Sequence, residues 1–297
     1  MKIGFSLPQY GSQARQGAQV ARFATEMERA GADSLWVGER LIAATNPKVG
    51  YGGKDTIPEE FNSILDPFLV LGIAAAVTER VLLGTNVLIA PLHRPALLAR
   101  SLTTLDVVSQ GRLLPGFGIG WSPEEYEAAG VPFTHRGARL DETLDALEAI
   151  WTSDPAGYEG RFVRVPEHRN ELTRAQRPPI YLGAFNPAGL ARVGRRGDGW
   201  LPVVPVPGPP GWGKQLLTLR SVVDQAARDA GRDPQAIDTI VRVNVAAGTD
   251  PALVASTIEQ VAADTGFEHF FIDLLYVADS VDAALDTATG LLGRLRD

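Results

Sequence analysis

Residues 111–130 read GRLLPGFGIGWSPEEYEAAG. Leu113 and Leu114 belong to a short apolar strand, Gly116, Gly118 and Gly120 then strip the backbone bare, and Ser122-Pro123-Glu124-Glu125 opens a helix. Bare backbone lets N–H groups approach a ligand closely, and a helix N-terminus adds partial positive charge that favours a phosphate. Ser122 and Glu125 have capping-box spacing, with Pro123 where the first turn tolerates proline. Two readings stay open, an anion site or a tight turn leaving a buried strand. The Gly-x-Gly-x-Gly spacing is neither the dinucleotide fingerprint nor the phosphate loop.

Working outward, the same strand-to-helix alternation repeats in both directions. Toward the N-terminus, strands are expected at Lys2 to Pro8, Ser34 to Val37 and Val81 to Ala90. Between them, Val20, Phe23, Ala24 and Met27, then residues 67–77, then Leu98, Leu102 and Leu105 mark apolar helix faces. Toward the C-terminus, Leu140, Leu144, Leu147 and Trp151 form the next stripe, and YEGRFVRV (158–165) reads as an outer hairpin. Strands follow at Pro179 to Ala184, Trp200 to Val204, Ile240 to Ala246 and His269 to Leu275, each followed by an amphipathic helix. Asp66-Pro67, Ser122-Pro123, Asn186-Pro187 and Asp250-Pro251 each place a capping side chain before a proline at the first helical position. Eight strands alternating with helices predict a single α/β domain over residues 1–297, a (β/α)8 TIM barrel with loop insertions; the runner-up is a doubly wound open sheet. Two loops are lid candidates, Gly38 to Leu65 and PVPGPPGWG (205–213).

The chain of 297 residues carries a formal charge of −7 with both signs interspersed, which offers no attraction to nucleic acid or to an anionic membrane. It has no cysteine, so disulfides, thiolate nucleophiles and sulfur metal sites are excluded and redox chemistry needs a bound cofactor. The N-terminal MKIGFSLPQY lacks a signal-peptide core and no run approaches a membrane span, so a cytoplasmic location is expected. The four histidines are scattered without metal-ligand spacing, so no metal is expected, and there is no Gly-x-Ser-x-Gly elbow.

In a barrel the site lies at the C-terminal ends of the strands. The candidates there are Gln9 and Tyr10; Gly38, Glu39 and Arg40; Asn86 to His93; Gly118 to Trp121; Gly183 to Asn186; Pro202 to Pro205; Asn244; and Asp273. Trp36, Trp151 and Trp200 read as core or rim packing, and Arg136 and Arg139 are expected to pair with neighbouring carboxylates.

Three stretches carry a family resemblance over nearly the whole chain: LLGTNVLIAPLHRP (82–95), residues 111–151 and PPIYLGAFNPAGLARVGRRGDGWLP (178–202). With them the chain resembles luciferase-like monooxygenase-fold oxidoreductases, in the branch that uses coenzyme F420. The resemblance implies a deazaflavin or FMN ring across the top of the barrel, with its phosphate near the ends of strands four and five. Gly118, Ile119, Gly120 and Trp121 would then form one cofactor loop and Gly183, Ala184 and Phe185 the other, the alternative for each being an ordinary turn. The resemblance also implies a cis Asn86-Val87 peptide supporting the ring, and Glu39 as the acidic group that hydrogen-bonds it.

The next position, often His in such enzymes, is Arg40, and Trp121 stands where the F420-dependent sugar-phosphate dehydrogenases have a Glu. These departures argue against alcohol oxidation by that route. The order His93-Arg94-Pro95 also differs from the usual Arg-His-Pro, which leaves His93 as either a catalytic group or loop packing. The implied reaction is hydride transfer between a deazaflavin and a small, largely apolar substrate, with Glu39, Arg40, His93 and Trp121 as the catalytic candidates. The alternatives are an FMN-dependent monooxygenase using dioxygen and a flavin-binding barrel without catalysis. A homodimer is implied as well, through the apolar outer face of the helix at 67–77. Arg192, Arg195, Arg196 and Lys214 either line the exit of an anionic F420 tail or are solvated helix faces.

Overall fold

Short β-rich apolar runs alternate with helices along the computed structural model, which describes residues 1–172 and 177–296. The strands are β1 (Lys2–Ser6), β2 (Ser34–Val37), β3 (Leu82–Thr85), β4 (Leu88–Ile89), β5 (Leu113–Leu114), β6 (Gly116–Gly118), β7 (Ala156–Glu159), β8 (Arg164–His168), β9 (Tyr181–Leu182), β10 (Gly199–Trp200), β11 (Val203–Val206), β12 (Asp238–Val245) and β13 (His269–Asp273). The helices are α1 (Gly11–Ala14), α2 (Val20–Ala30), α3 (Pro67–Val77), α4 (Pro95–Val108), α5 (Pro123–Ala128), α6 (Arg136–Thr152), α7 (Pro187–Arg196), α8 (Trp212–Asp229), α9 (Pro251–Thr265) and α10 (Val281–Arg294).

Parallel ladders run in the order β4, β6, β9, β10, β12, β13, β1, β2, β3, β5, with β11 also on β12. The two ends of this series are halves of the same two strands. β3 and β4 are separated only by Asn86 and Val87, whose peptide is cis, and β5 and β6 only by Pro115, which has no N–H to give a ladder. Because β3 pairs with β5 while β4 pairs with β6, the sheet closes. With β10 and β11 as halves of the sixth, it is an eight-stranded TIM barrel. The expected continuous strand over residues 81–90 is therefore split, and two of the glycines expected as bare loop, Gly116 and Gly118, bound β6 itself, with Gly120 beyond its end.

Alternation along the strands gives two apolar layers. Trp36, Leu114, Tyr181, Leu201, Ile240 and Phe271 fill the lumen, with Trp36 stacked on Phe271 at 4.5 Å between ring centroids. Phe5, Phe23, Leu71, Leu102, Leu144, Val223 and Leu292 belong to the larger layer between strands and helices. Each such side chain, buried to within a few per cent, contributes roughly 1.5–3 kcal/mol of transfer free energy. The hairpin β7–β8 is antiparallel, as expected, and Glu142 of α6 anchors its tip by accepting from the N–H groups of Arg161, Phe162 and Val163.

Three of the four expected caps form: Asp66 accepts from Leu69 N–H, Asn186 from Gly189 N–H and Asp250 from Ala252 N–H. The fourth does not. Ser122 Oγ donates to its neighbour Glu124 at 2.8 Å and Glu125 turns elsewhere, so no capping box forms. Among the described residues no helix is long and apolar enough to cross a membrane, and no group of three or more His, Asp or Glu could hold a metal ion.

Candidate active site

A cleft of about 610 Å³ opens at the C-terminal ends of the strands. Its floor is made by Trp36, Phe271, Leu201, Val87 and Gly183, and its roof by the loop between β2 and α3. Gln9, at the end of the first strand, brackets that loop. Its amide donates to Gly38 C=O at 2.7 Å and Leu65 C=O at 2.9 Å and accepts from Gly38 N–H at 2.8 Å. Tyr51 packs against Phe61 at 5.0 Å and Trp121 at 5.7 Å, and Tyr10 against Phe61 at 5.6 Å, forming an aromatic wall. The first lid candidate thus covers the cleft. The second does not: on that side the lining ends at Val203, before the proline-rich segment at 205–213.

Glu125, expected in a capping box with Ser122, and its neighbour Glu124 hold the lid instead. Glu125 Oε1 accepts from Leu41 N–H at 2.6 Å and Glu124 Oε1 from Lys48 N–H at 2.8 Å. Glu125 also lies 2.8 Å from Arg40, both side chains being almost wholly buried, and the Arg40 guanidinium sits 4.2 Å from the Trp121 ring. Burial pushes the Glu125 carboxyl up and the Arg40 guanidinium down, each countered by the other's charge. The first turn of the six-residue α5 carries two carboxylates, Glu124 and Glu125, both turned toward the lid loop.

Two further pairs complete the charges. Glu39 Oε2 accepts from Ile89 N–H at 2.5 Å, while its Oε1 lies 2.8 Å from His93 Nε2. Arg242 of β12 is paired with Asp273 of β13. Burial opposes the Arg242 charge, but Asp273 holds its pKa above the ordinary arginine value, whereas burial pushes the Tyr10 phenol up. Buried polar atoms lining the cleft that lack a hydrogen-bond partner among the described residues include Asn86 Nδ2, Arg242 Nε and Arg40 Nε as donors and Asn244 Oδ1 as acceptor.

Of the expected residues, Glu39, Arg40, Asn86, Val87, Gly120, Trp121, Gly183 and Phe185 line the cleft. His93 stands behind Glu39. Gly118, Ile119 and Ala184 do not line it. A Cβ on Gly118 would meet Val87 Cγ2 at 2.6 Å and one on Gly183 would meet Val87 Cγ1 at 3.0 Å, so these glycines make room for the Val87 side chain. Ile119 and Ala184 present their carbonyls to Tyr126 Oη and Trp200 Nε1.

Tyr51, Phe61, Glu125 and Arg242 were missed. Arg242 had a signal, since VRVNV (241–245) alternates and puts Arg242 on the same face as Asn244. The expected basic exit is also corrected. Arg192 and Arg196 are bound to Asp141 and Asp145 of α6, and Arg195 and Arg196 close the last turn of α7, at the opposite end of the barrel beside Arg177 and Arg232. Arg136 and Arg139 lie over the rings of Phe133 and Phe162.

A family model described as luciferase-like monooxygenase matches residues 1–289. A phthiodiolone/phenolphthiodiolone dimycocerosates ketoreductase of Mycobacterium tuberculosis is 32% identical over 242 residues, 78% of this chain and 61% of that protein. The chain spans between about half and three-fifths of the length of the curated relatives it matches, 54% for the first. Among solved structures, the monooxygenase RslO1 from Streptomyces bottropensis superposes with a TM-score of 0.77 at 22% identity, covering 100% of this chain and 99% of that one. An F420-dependent secondary alcohol dehydrogenase in complex with an F420-acetone adduct gives 0.74 at 19% identity, with 100% and 99% covered. At such identities these likenesses establish the fold alone. The match of the family model over residues 1–289 establishes more: the chain belongs to the luciferase-like monooxygenase family.

Proposed function

We propose that the protein is an oxidoreductase that uses coenzyme F420 to exchange a hydride with a small, largely apolar organic substrate. The observation that carries this reading is a group of three among the unpaired polar atoms of the cleft. Asn86 Nδ2 and Arg242 Nε are donors and Asn244 Oδ1 is an acceptor, all buried without a hydrogen-bond partner among the described residues. The pyrimidinedione edge of a flavin or deazaflavin offers two acceptors and one donor, the complement of that set. Buried polar groups of this kind are costly until paired, so such an edge fits them. When bound, the deazaflavin supplies or accepts a hydride at its C5 carbon.

The chain's own residues provide the rest. Val87 and Gly183 form an apolar bed, and Tyr51, Phe61 and Trp121 exclude water from the cleft. Glu39 holds a proton position at the cleft wall, with His93 behind it at 2.8 Å able to exchange that proton. Arg40, fixed by Glu125 and Trp121, places a positive charge beside the substrate space, where it stabilises negative charge developing on an oxygen. The ketoreductase relative supports carbonyl chemistry. Arg40 at the position of the common His also suits hydride transfer, which has no oxygen adduct to stabilise.

The same pyrimidinedione edge belongs to FMN, which makes an FMN-dependent monooxygenase using dioxygen the second reading. Parallel fluorescence titrations with F420 and FMN separate the two. Tighter binding of F420 is expected; tighter binding of FMN, or yellow protein purified with FMN, overturns the proposal in favour of the second reading.

A further inference from the structure

A second cavity, of about 150 Å³, lies at the same end of the barrel but outside the ring of strands, between residues 91–96, the start of α6 and the β7–β8 hairpin. Arg94, Arg139 and Arg164 line it together with His93, and no Asp or Glu is among its described lining residues. Several other arginines of this chain, Arg177, Arg192, Arg196 and Arg220 among them, each lie within salt-bridge distance of an Asp or Glu. Among the described residues, no carboxylate pairs with the three arginines of the cavity. Gathering like charges in a partly enclosed space is unfavourable unless an anion joins them, and the surplus is conspicuous in a chain of net charge −7.

Arg139 is held for such a partner. Its guanidinium lies 4.5 Å from the Phe162 ring, and its Nε is buried with no hydrogen-bond partner among the described residues. A guanidinium fixed in one plane with free donors matches a carboxylate, which it can take through two parallel hydrogen bonds. The cavity also adjoins the cleft. His93 lines it, and the ring of His93 is bonded to Glu39, which lines the cleft.

We propose that this cavity receives carboxylates of the oligoglutamate tail of coenzyme F420, so that Arg94, Arg139 and Arg164 select the tailed form of the cofactor. This rests on the F420 reading above. It replaces Arg192, Arg195 and Arg196 as the anion contact with a cluster at the correct end of the barrel.

The test compares F420 carrying several glutamates with the form carrying none, each titrated into the intact protein by fluorescence at low and at raised salt. The tailed form is expected to bind about tenfold tighter at low salt, with the advantage shrinking as salt screens it. The R94Q/R139Q/R164Q variant should lose that advantage while binding the tailless form as the wild type does, which also reports that it is folded. R164Q alone, on the exposed hairpin, should lose part of it. Equal affinity of the wild type for both forms, or an advantage that survives in the triple variant, overturns the proposal and leaves the F420 reading standing. Failure of both forms to bind overturns the two together.

Discussion

His269 begins β13 with its ring among Ser34 and Trp36: Nε2 lies 2.8 Å from Ser34 Oγ, which also accepts from Trp36 Nε1. Burial pushes its pKa down from the ordinary 6.5 to about 4, because the charged imidazolium finds no water there. As pH falls, the unfolded chain takes up this proton first. The stabilisation is therefore complete above about pH 6.5 and is lost progressively toward pH 4, a change of roughly 3 kcal/mol over that window. Urea unfolding across this range should show the midpoint falling more steeply in the wild type than in His269→Gln, which has no titrating ring. Parallel pH profiles for the two proteins would contradict the assignment. The Arg40–Glu125 pair obeys different logic, since neither partner has water to fall back on and removal of one leaves a buried charge uncompensated.

At the scale of elements, the break in the third strand shapes the site, and the fourth and fifth strands accommodate it with glycines. Gly118→Ala would bring a Cβ to 2.6 Å from Val87 Cγ2, a side-chain clash, whereas Gly116→Ala would meet the backbone carbonyl of Thr85 at 2.1 Å. Each substitution is expected to cost at least about 1–3 kcal/mol, as overpacking does. Only the first should be relieved by Val87→Ala, so a double-mutant cycle by chemical denaturation should give a coupling of about 1–2 kcal/mol for residues 118 and 87, and near zero for 116 and 87. Equal couplings would mean the glycines serve another purpose. These contacts also mark what local sequence could and could not reveal. Eight strand-helix repeats, the three Asp or Asn caps before proline and the outer hairpin all follow from periodicity and turn chemistry, which act over a few residues. The role of Glu125 could not be read locally, because its spacing from Ser122 fits a capping box, and only the fold brings Arg40 and Leu41 to it across 84 residues of chain. The same holds for the charge pairing of Arg192 with Asp141 and for the meeting of Arg94, Arg139 and Arg164.

For the molecule as a whole, one side of the barrel is left apolar. Leu69, Ile73 and Val77 recur every fourth residue along α3 and are 70%, 41% and 39% exposed, with Leu97 of the neighbouring α4 at 53%. A stripe at this spacing faces one direction. The inner face of α3 is already spent on the core through Val70, Leu71, Ala74 and Ala75. Single exposed apolar residues are ordinary, but a stripe continued onto a second helix is the form of an interface. We propose that two copies of the chain pair across α3 and α4 about a twofold axis, each covering the other's stripe; a stable interface of this kind buries about 800 Å² per partner. Sedimentation velocity at micromolar concentration should show a dimer for the wild type and a monomer for L69E/I73E. A wild-type monomer under those conditions would refute the pairing. The position of the stripe ties it to the cleft, because α3 begins at Asp66-Pro67, directly after Leu65, whose carbonyl Gln9 holds as one end of the lid loop. A partner packed on the first turns of α3 would therefore steady the lid's anchor, and the monomeric variant should bind the cofactor less tightly than the wild-type dimer even though none of its changed residues lines the cleft.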